Sequence, residues 1–209
     1  MDAQDGRILF VSSWSHDIDD PRNDVMMGAY KDSKYPTLFP GAEALAKGQW
    51  SRPEDDAGIK SGFRRYGASK LCAVMLYEEL ANRIAKDPKL NNISIVSLDP
   101  ATMLTSFGRR AGFLIGAVVT RVIMPVLSEI SVQFSPNGML RPSWKSAADV
   151  IRACFEIEAR KGEALHLDGT AGLQVAKDAK DEAKRKELWE YGLGAAKMYE
   201  GDAALVNWT

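Results

Sequence analysis

Apolar residues recur at helical spacing through residues 71–84: Leu71, Ala73, Val74, Leu76, Tyr77, Leu80, Ala81 and Ile84. The pattern predicts one long helix, opened by the pentapeptide Tyr66-Gly67-Ala68-Ser69-Lys70. Four residues make just over one helical turn, so Tyr66 and Lys70 project from one face. A phenol beside an ammonium has acid–base chemistry to hand. The positive charge favours the phenolate, and such a tyrosine can give a proton to a carbonyl or take one from an alcohol near neutral pH. Gly67, Ala68 and Ser69 are small, which would let a ligand approach the backbone closely.

The spacing alone is a weak signal. Tyr30 and Lys34 repeat it within a run of Asp, Asn, Gly, Lys and Pro that lacks apolar periodicity and reads as a loop. A half-buried tyrosine beside a solvated lysine is the competing explanation for Tyr66 and Lys70.

Two apolar runs flank the helix. Residues 6–16 read Gly-Arg-Ile-Leu-Phe-Val-Ser-Ser-Trp-Ser-His, and residues 93–105 read Ile-Ser-Ile-Val-Ser-Leu-Asp-Pro-Ala-Thr-Met-Leu-Thr. A strand ending in Ser-Ser, a Tyr-x-x-x-Lys helix and a strand ending in Asp-Pro, in that order, resemble the short-chain dehydrogenase/reductase family. Residues 61–72, Ser-Gly-Phe-Arg-Arg-Tyr-Gly-Ala-Ser-Lys-Leu-Cys, look most like its retinol-dehydrogenase-like fungal branch. The resemblance covers residues 6–207. It implies an α/β fold: a partial Rossmann-like, doubly wound parallel sheet made of the last three strands of the family fold, with flanking helices.

The resemblance also implies roles. Ser13 would orient the substrate oxygen, and Ser12 would point to the other face of its strand. Tyr66 would be the general acid of a reduction and the base of an oxidation. Lys70 would tune Tyr66 and hold the nicotinamide ribose. Met103 and Thr105 would contact the nicotinamide end of NADP or NAD, with no residue to choose between the two. Ala101 stands where the family usually carries glycine; a positive φ there would strain it. The implied substrate is a small apolar molecule with a carbonyl or secondary alcohol.

A dinucleotide fold of this type opens with a strand, a glycine-rich turn and a helix whose N-terminus binds the pyrophosphate. No such glycine pattern occurs. Gly192-Leu193-Gly194 lies in a charged helical stretch with no strand before it. The chain therefore matches the family fold from its fifth strand onward, as a single incomplete domain over residues 1–209. The missing half would come from an upstream segment or a partner chain. The competing reading is a non-catalytic remnant or interaction module that keeps the triplet without holding cofactor.

Between Ser13 and Tyr66 lie 52 residues, more than the family core has. This insertion, residues 16–65, is polar and loop-rich but carries Tyr30, Tyr35, Phe39 and Trp50. It reads equally as a substrate lid or as a surface elaboration packed by its own aromatics. Residues 106–140 would form the substrate-lid region. Within them the apolar run 112–127 is too short to span a bilayer, which takes about 20 residues. Arg121 and Pro125 interrupt it. It reads as a pocket wall, with interfacial membrane contact as an option, or as a core helix.

Net charge is −1 and pI near 6.2. Arg64-Arg65 and Lys184-Arg185-Lys186 are short and read as solvated or structural, so nothing points to nucleic acid. Cys72 and Cys154 are far apart and read as buried, reduced thiols. His16 and His166 lack metal-ligand company, and a structural role is expected for His16 despite its nearness to Ser13. Residues 1–6 are short and acidic and show no signal peptide; a cytoplasmic location is expected, with peripheral attachment to an intracellular membrane left open. Residues 143–160 should form a helix, 164–167 a last strand, and 177–197 a charged helix anchored by Trp189. In the family's order the three strands are neighbours, which leaves residues 8–11 on an exposed sheet edge.

Overall fold

The computed structural model describes residues 6–56, 58–103, 123–199, 201–202 and 205. In chain order the elements are β1 (Gly6–Val11), α1 (Ala42–Ala46), α2 (Ile59–Lys86), β2 (Ile93–Asp99), β3 (Thr102–Met103), α3 (Met124–Phe134), β4 (Leu140–Arg141), α4 (Ser143–Phe155), β5 (Ala164–Asp168), β6 (Ala171–Gly172), α5 (Lys177–Lys180) and α6 (Glu182–Ala196). Two 3-10 helices, Trp14–His16 and Pro21–Met26, follow β1.

The main sheet runs β1-β2-β5-β6. Its first three strands are parallel, with Leu9 opposite Val96 and Val96 opposite Leu165. The hairpin strand β6 is antiparallel to β5. β2 is buried along nearly its whole length because it is central and covered on both faces. β1 is half-buried, and among the described residues it forms the sheet edge, as expected.

Side-chain alternation assigns the two faces. Ile8, Phe10 and Ile95 pack under α2 with Leu80, Ala81 and Ile84, and Phe10 stacks on Tyr77 with ring centroids 3.8 Å apart. Leu9, Val96, Leu98 and Leu165 pack on the opposite side against Val150 and Ala153 of α4. The result is a helix–sheet–helix sandwich.

Several boundaries differ from the sequence expectation. α2 starts at Ile59, so Tyr66 lies about two turns inside the helix. α4 stops at Phe155, short of residue 160. The C-terminal charged stretch is broken at Asp181, whose carboxylate accepts the Lys184 N–H and caps α6. Trp189 is nonetheless an anchor: it packs beneath α2, with the Arg83 guanidinium 4.7 Å from its ring. Cys72 and Cys154 are free but only half-buried; burial pushes the Cys72 thiol up to about 11, which leaves it unreactive. Residues 104–122, and with them Thr105 and most of the apolar run 112–127, lie outside the described residues. No helix among the described residues is long and apolar enough to cross a membrane.

The insertion is packed like a core. Tyr30, Leu38, Phe39 and Ala42 are buried in one cluster with Ala68, Leu71, Val74 and Met75 of α2 and with Ala176 and Ala179 near the C-terminus. Arg64 is completely buried. Its guanidinium donates to the Ser51 hydroxyl (2.7 Å) and the Ala29 carbonyl (3.0 Å), pairs with Asp56, and stacks 4.1 Å from the Tyr35 ring. Ala42 N–H donates to Glu187 of α6 (2.8 Å), so the insertion is held between α2 and the C-terminal helices. Leu38→Ala should therefore cost about 2–5 kcal/mol, read as a lowered urea midpoint. An insertion that merely hung over the surface would leave the midpoint unchanged.

Candidate active site

The site sits where the C-terminal ends of β1 and β2 meet α2. β1 ends at Val11; Ser12 N–H still pairs with the Leu98 carbonyl (2.8 Å), and the chain then turns through Trp14–His16. Ser13 caps this turn. Its Oγ accepts from Ser15 N–H (3.3 Å) and from the Ser15 hydroxyl (2.9 Å), which leaves the Ser13 hydroxyl proton free to donate outward.

Asp99 fixes the turn to β2. Its carboxylate accepts the Trp14 N–H (2.5 Å) and the Ala101 N–H (2.8 Å). Burial pushes this carboxyl above the usual range, against the pull of those two amides. One side chain thus positions both loops of the site. The Asp99-Pro100 signature by itself gives Asp99 no role; only the fold brings Trp14 next to it. Ala101 adopts φ +60°, the left-handed conformation that strains a residue with a Cβ, and the hydrogen bond its N–H donates to the Asp99 carboxylate helps hold it there.

Tyr66 and Lys70 do share a face. The Lys70 ammonium lies 5.8 Å from the centre of the Tyr66 ring and donates to the Val11 carbonyl at 3.3 Å. Among the described residues no carboxylate pairs with it, so its remaining donors are available. Tyr66 is 44% exposed, enough to meet a ligand. Both residues border a cavity of about 650 Å³, together with Ser13, Asp99, Ala101 and Met103. Its walls are mostly apolar, among them Trp14, Val25, Met26, Ile59 and Phe63. Ser12 borders it too, contrary to the expectation that it would face away. The strand has ended, so alternation no longer separates the two serines. The Ser12 hydroxyl is buried and has no hydrogen-bond partner among the described residues.

Gly67 has a different use from the one its size suggested. It is buried, and what approaches it is the protein itself. A Cβ there would lie 1.9 Å from the Tyr30 hydroxyl and 2.7 Å from the Ser15 carbonyl. The Tyr30 hydroxyl donates to Ser15 O (2.9 Å) and lies 3.3 Å from Phe63 O. Burial drives this phenol's pKa up, with the nearby Tyr66 adding to the shift. The Tyr30–Lys34 pair that imitated the site is therefore half clamp: Tyr30 fastens the Ser13 turn to the helix that carries Tyr66.

His16 closes the turn from behind, as a structural residue. Its Nδ1–H donates to the Ser13 carbonyl (2.6 Å), and its Nε2 accepts the Ala176 N–H (3.3 Å). His166 is also structural, held between the Ser97 hydroxyl (2.6 Å) and Glu78 (2.9 Å).

No protein-family model matches the chain. A short-chain dehydrogenase, iccH, from Talaromyces variabilis is 36% identical over an alignment of 227 residues. That alignment takes in the whole of this chain and 62% of the relative's length. Over its whole length the chain is thus similar to a short-chain dehydrogenase. Its parallel strands and flanking helices are consistent with part of that family's Rossmann-like fold. A nicotinamide dinucleotide is the cofactor the family implies in general. The residues present fit one end of such a group: Lys70 offers unpaired ammonium donors beside Tyr66, and Met103 borders the same cavity. A glycine-rich pyrophosphate turn has no counterpart in the sequence.

Two outcomes follow. Gly67→Ala should destabilise the protein by about 1–3 kcal/mol, because neither the Ser15 carbonyl nor the Tyr30 ring can withdraw without moving the Ser13 turn; thermal melts check this. His16 titrates against the fold. Burial holds its pKa below the usual imidazole value, overcoming the opposing effect of the hydrogen bond that the ring donates to the Ser13 carbonyl. A depressed folded pKa contributes stability that is complete above the unfolded pKa, about 6.5, and is lost as pH falls through the lower folded value. Urea midpoints should therefore drop on acidification below neutrality, and His16→Gln should flatten that drop.

Proposed function

We propose that this chain carries the catalytic side of a nicotinamide-dependent oxidoreductase that interconverts a carbonyl and a secondary alcohol on a neutral, apolar metabolite. The observation that carries the reading is the meeting of Tyr66, Lys70 and the Ser13 turn at one predominantly apolar cavity. The bound cofactor supplies hydride exchange. Everything else falls to side chains of this chain.

In the reducing direction the Tyr66 hydroxyl protonates the carbonyl oxygen; in oxidation the phenolate takes the alcohol proton. Lys70, on the same helical face, stabilises that phenolate and offers its free donors to the ribose hydroxyls. The outward-facing Ser13 proton donates to the substrate oxygen and stabilises charge developing there. The apolar walls exclude water and disfavour charged substrates. Met103 and Thr105 complete the nicotinamide end in this reading.

Fluorescence titration with NADPH and NADH, followed by turnover on a panel of hydrophobic ketones, tests the proposal. Tyr66→Phe should lower kcat by about 10²–10⁴-fold with cofactor affinity retained. Lys70→Ala should weaken cofactor binding as well as turnover. A folded protein that binds neither coenzyme and reduces no ketone is instead a non-catalytic module.

A further inference from the structure

The turn that carries Ser13 is held from several sides. The Ser12 N–H donates to the Leu98 carbonyl (2.8 Å), the Tyr30 hydroxyl to the Ser15 carbonyl (2.9 Å) and the His16 ring to the Ser13 carbonyl (2.6 Å). The remaining tie is the Trp14 N–H, immediately after Ser13, which donates to one Asp99 carboxylate oxygen (2.5 Å). The other oxygen accepts the Ala101 N–H (2.8 Å). Asp99 has no freedom to follow either amide. Its backbone carbonyl accepts the Gly169 N–H (3.2 Å) and the buried Arg141 guanidinium (3.1 Å), and the residue is 2% exposed. Two inward N–H donors call for two acceptors on one side chain. An ionised carboxylate provides them. A protonated one keeps a single good acceptor, and a carboxamide would set its own NH2 against one of the amides.

Among the described residues no cation pairs with either Asp99 carboxylate oxygen, so two neutral amides hold the charge. Around it, Asp168 at the end of β5 disfavours ionisation and Arg22 of the 3-10 helix Pro21–Met26 favours it. Arg141 of β4 is committed to Asp168 and lies 3.8 Å from Asp149, which also holds Lys145 of α4. Tyr66 and Lys70 of α2 border the same cavity. Burial is the largest influence and lifts the Asp99 carboxyl above the ordinary aspartate value of about 3.9. As pH falls, Asp99 takes up its proton before an exposed aspartate would.

We infer that Asp99 is a positioning residue that acts through Ser13: its ionised carboxylate keeps the Ser13 hydroxyl at the cavity it shares with Tyr66, and protonation slackens the Trp14 and Ala101 ties and lets that hydroxyl turn away. The effect on turnover rests on the oxidoreductase reading; the titration of the turn does not. Hydrogen bonds to a charged carboxylate are roughly twice as strong as neutral ones, so one proton on Asp99 weakens both ties at once. The Ser15 N–H donates to Ser13 Oγ (3.3 Å), so the Ser15 amide reports where that oxygen sits.

The test is an amide NMR titration of the isotope-labelled full chain from neutral to mildly acidic pH. The Trp14 and Ala101 amide protons should move upfield together, with one shared midpoint above about 3.9, and the Ser15 amide should follow at that midpoint. Asp99→Asn should abolish all three responses. His16→Gln, which removes the neighbouring imidazole and keeps Asp99, should leave them in place, so the test does not depend on the Asp99 variant folding. Separate midpoints for Trp14 and Ala101, amides that do not titrate, or a Ser15 response that survives in Asp99→Asn would overturn the inference. Turnover on hydrophobic ketones supplies the second readout. Asp99→Asn should lower kcat at least about tenfold at neutral pH. In a Ser13→Ala background the same change should cost less than about twofold, because the two residues act as one unit. Equal losses in both backgrounds make Asp99 merely structural and overturn the inference. A protein that shows the shared titration yet turns over no ketone loses the oxidoreductase reading and keeps the positioning of Ser13.

Discussion

The close approach at Gly67 is the constraint on which the site depends. The Ser15 carbonyl and the Tyr30 phenol both come nearer to this position than any Cβ would allow. Because they do, the turn bearing Ser13 lies directly against the helix bearing Tyr66 and Lys70. Two side chains of the candidate site, Ser13 and Tyr66, from separate elements are brought to one cavity by the absence of a single methyl group. The cost is rigidity of choice: the position admits glycine only, and Tyr30 must come from far along the insertion to fill the space.

A second anchor, Asp99, joins the same turn to the end of β2. It holds the Ser13–Trp14 turn and the Ala101 loop by backbone amides, so the ends of β1 and β2 are tied to one side chain. The carboxylate is buried, and the two N–H groups offset much of what burial costs its charge. Around it runs a chain of ionic contacts. Arg141 is completely buried, donates to the Asp99 carbonyl (3.1 Å) and pairs with Asp168, which also receives Arg22 from the insertion. Insertion, sheet and site loops therefore share one polar network, in which removing one partner would leave another charge buried and unpaired.

The insertion illustrates how a loop-rich sequence becomes architecture. Its Pro, Asp and Gly content gives no periodic helix or strand, yet Leu38 and Phe39 are as buried as residues of the central strand. Irregular backbone can be packed when its polar groups find partners. Here Arg64 supplies several at once, to Ser51, Ala29 and Asp56. A lid and a packed elaboration were opposed as alternatives; the same segment is packed on one side and borders the cavity on the other.

Local chemistry was legible in the amino-acid order. Helical periodicity placed Tyr66 and Lys70 on one face, apolar runs marked β1, β2 and β5, and the serine pair marked the turn after β1. Those features depend on neighbours within a few residues, where backbone geometry alone sets which side chains meet. Tertiary structure decided everything that joins distant residues: Asp99 to Trp14, Tyr30 to Ser15, Arg22 to Asp168, and the insertion to the cavity. It also put the start of α2 at Ile59, because packing against the insertion, and not propensity, stabilises the turns before Tyr66. Sequence spacing carries no record of such contacts. They exist only once burial has brought together groups separated by tens of residues, and each is held by hydrogen bonds that water would otherwise have satisfied.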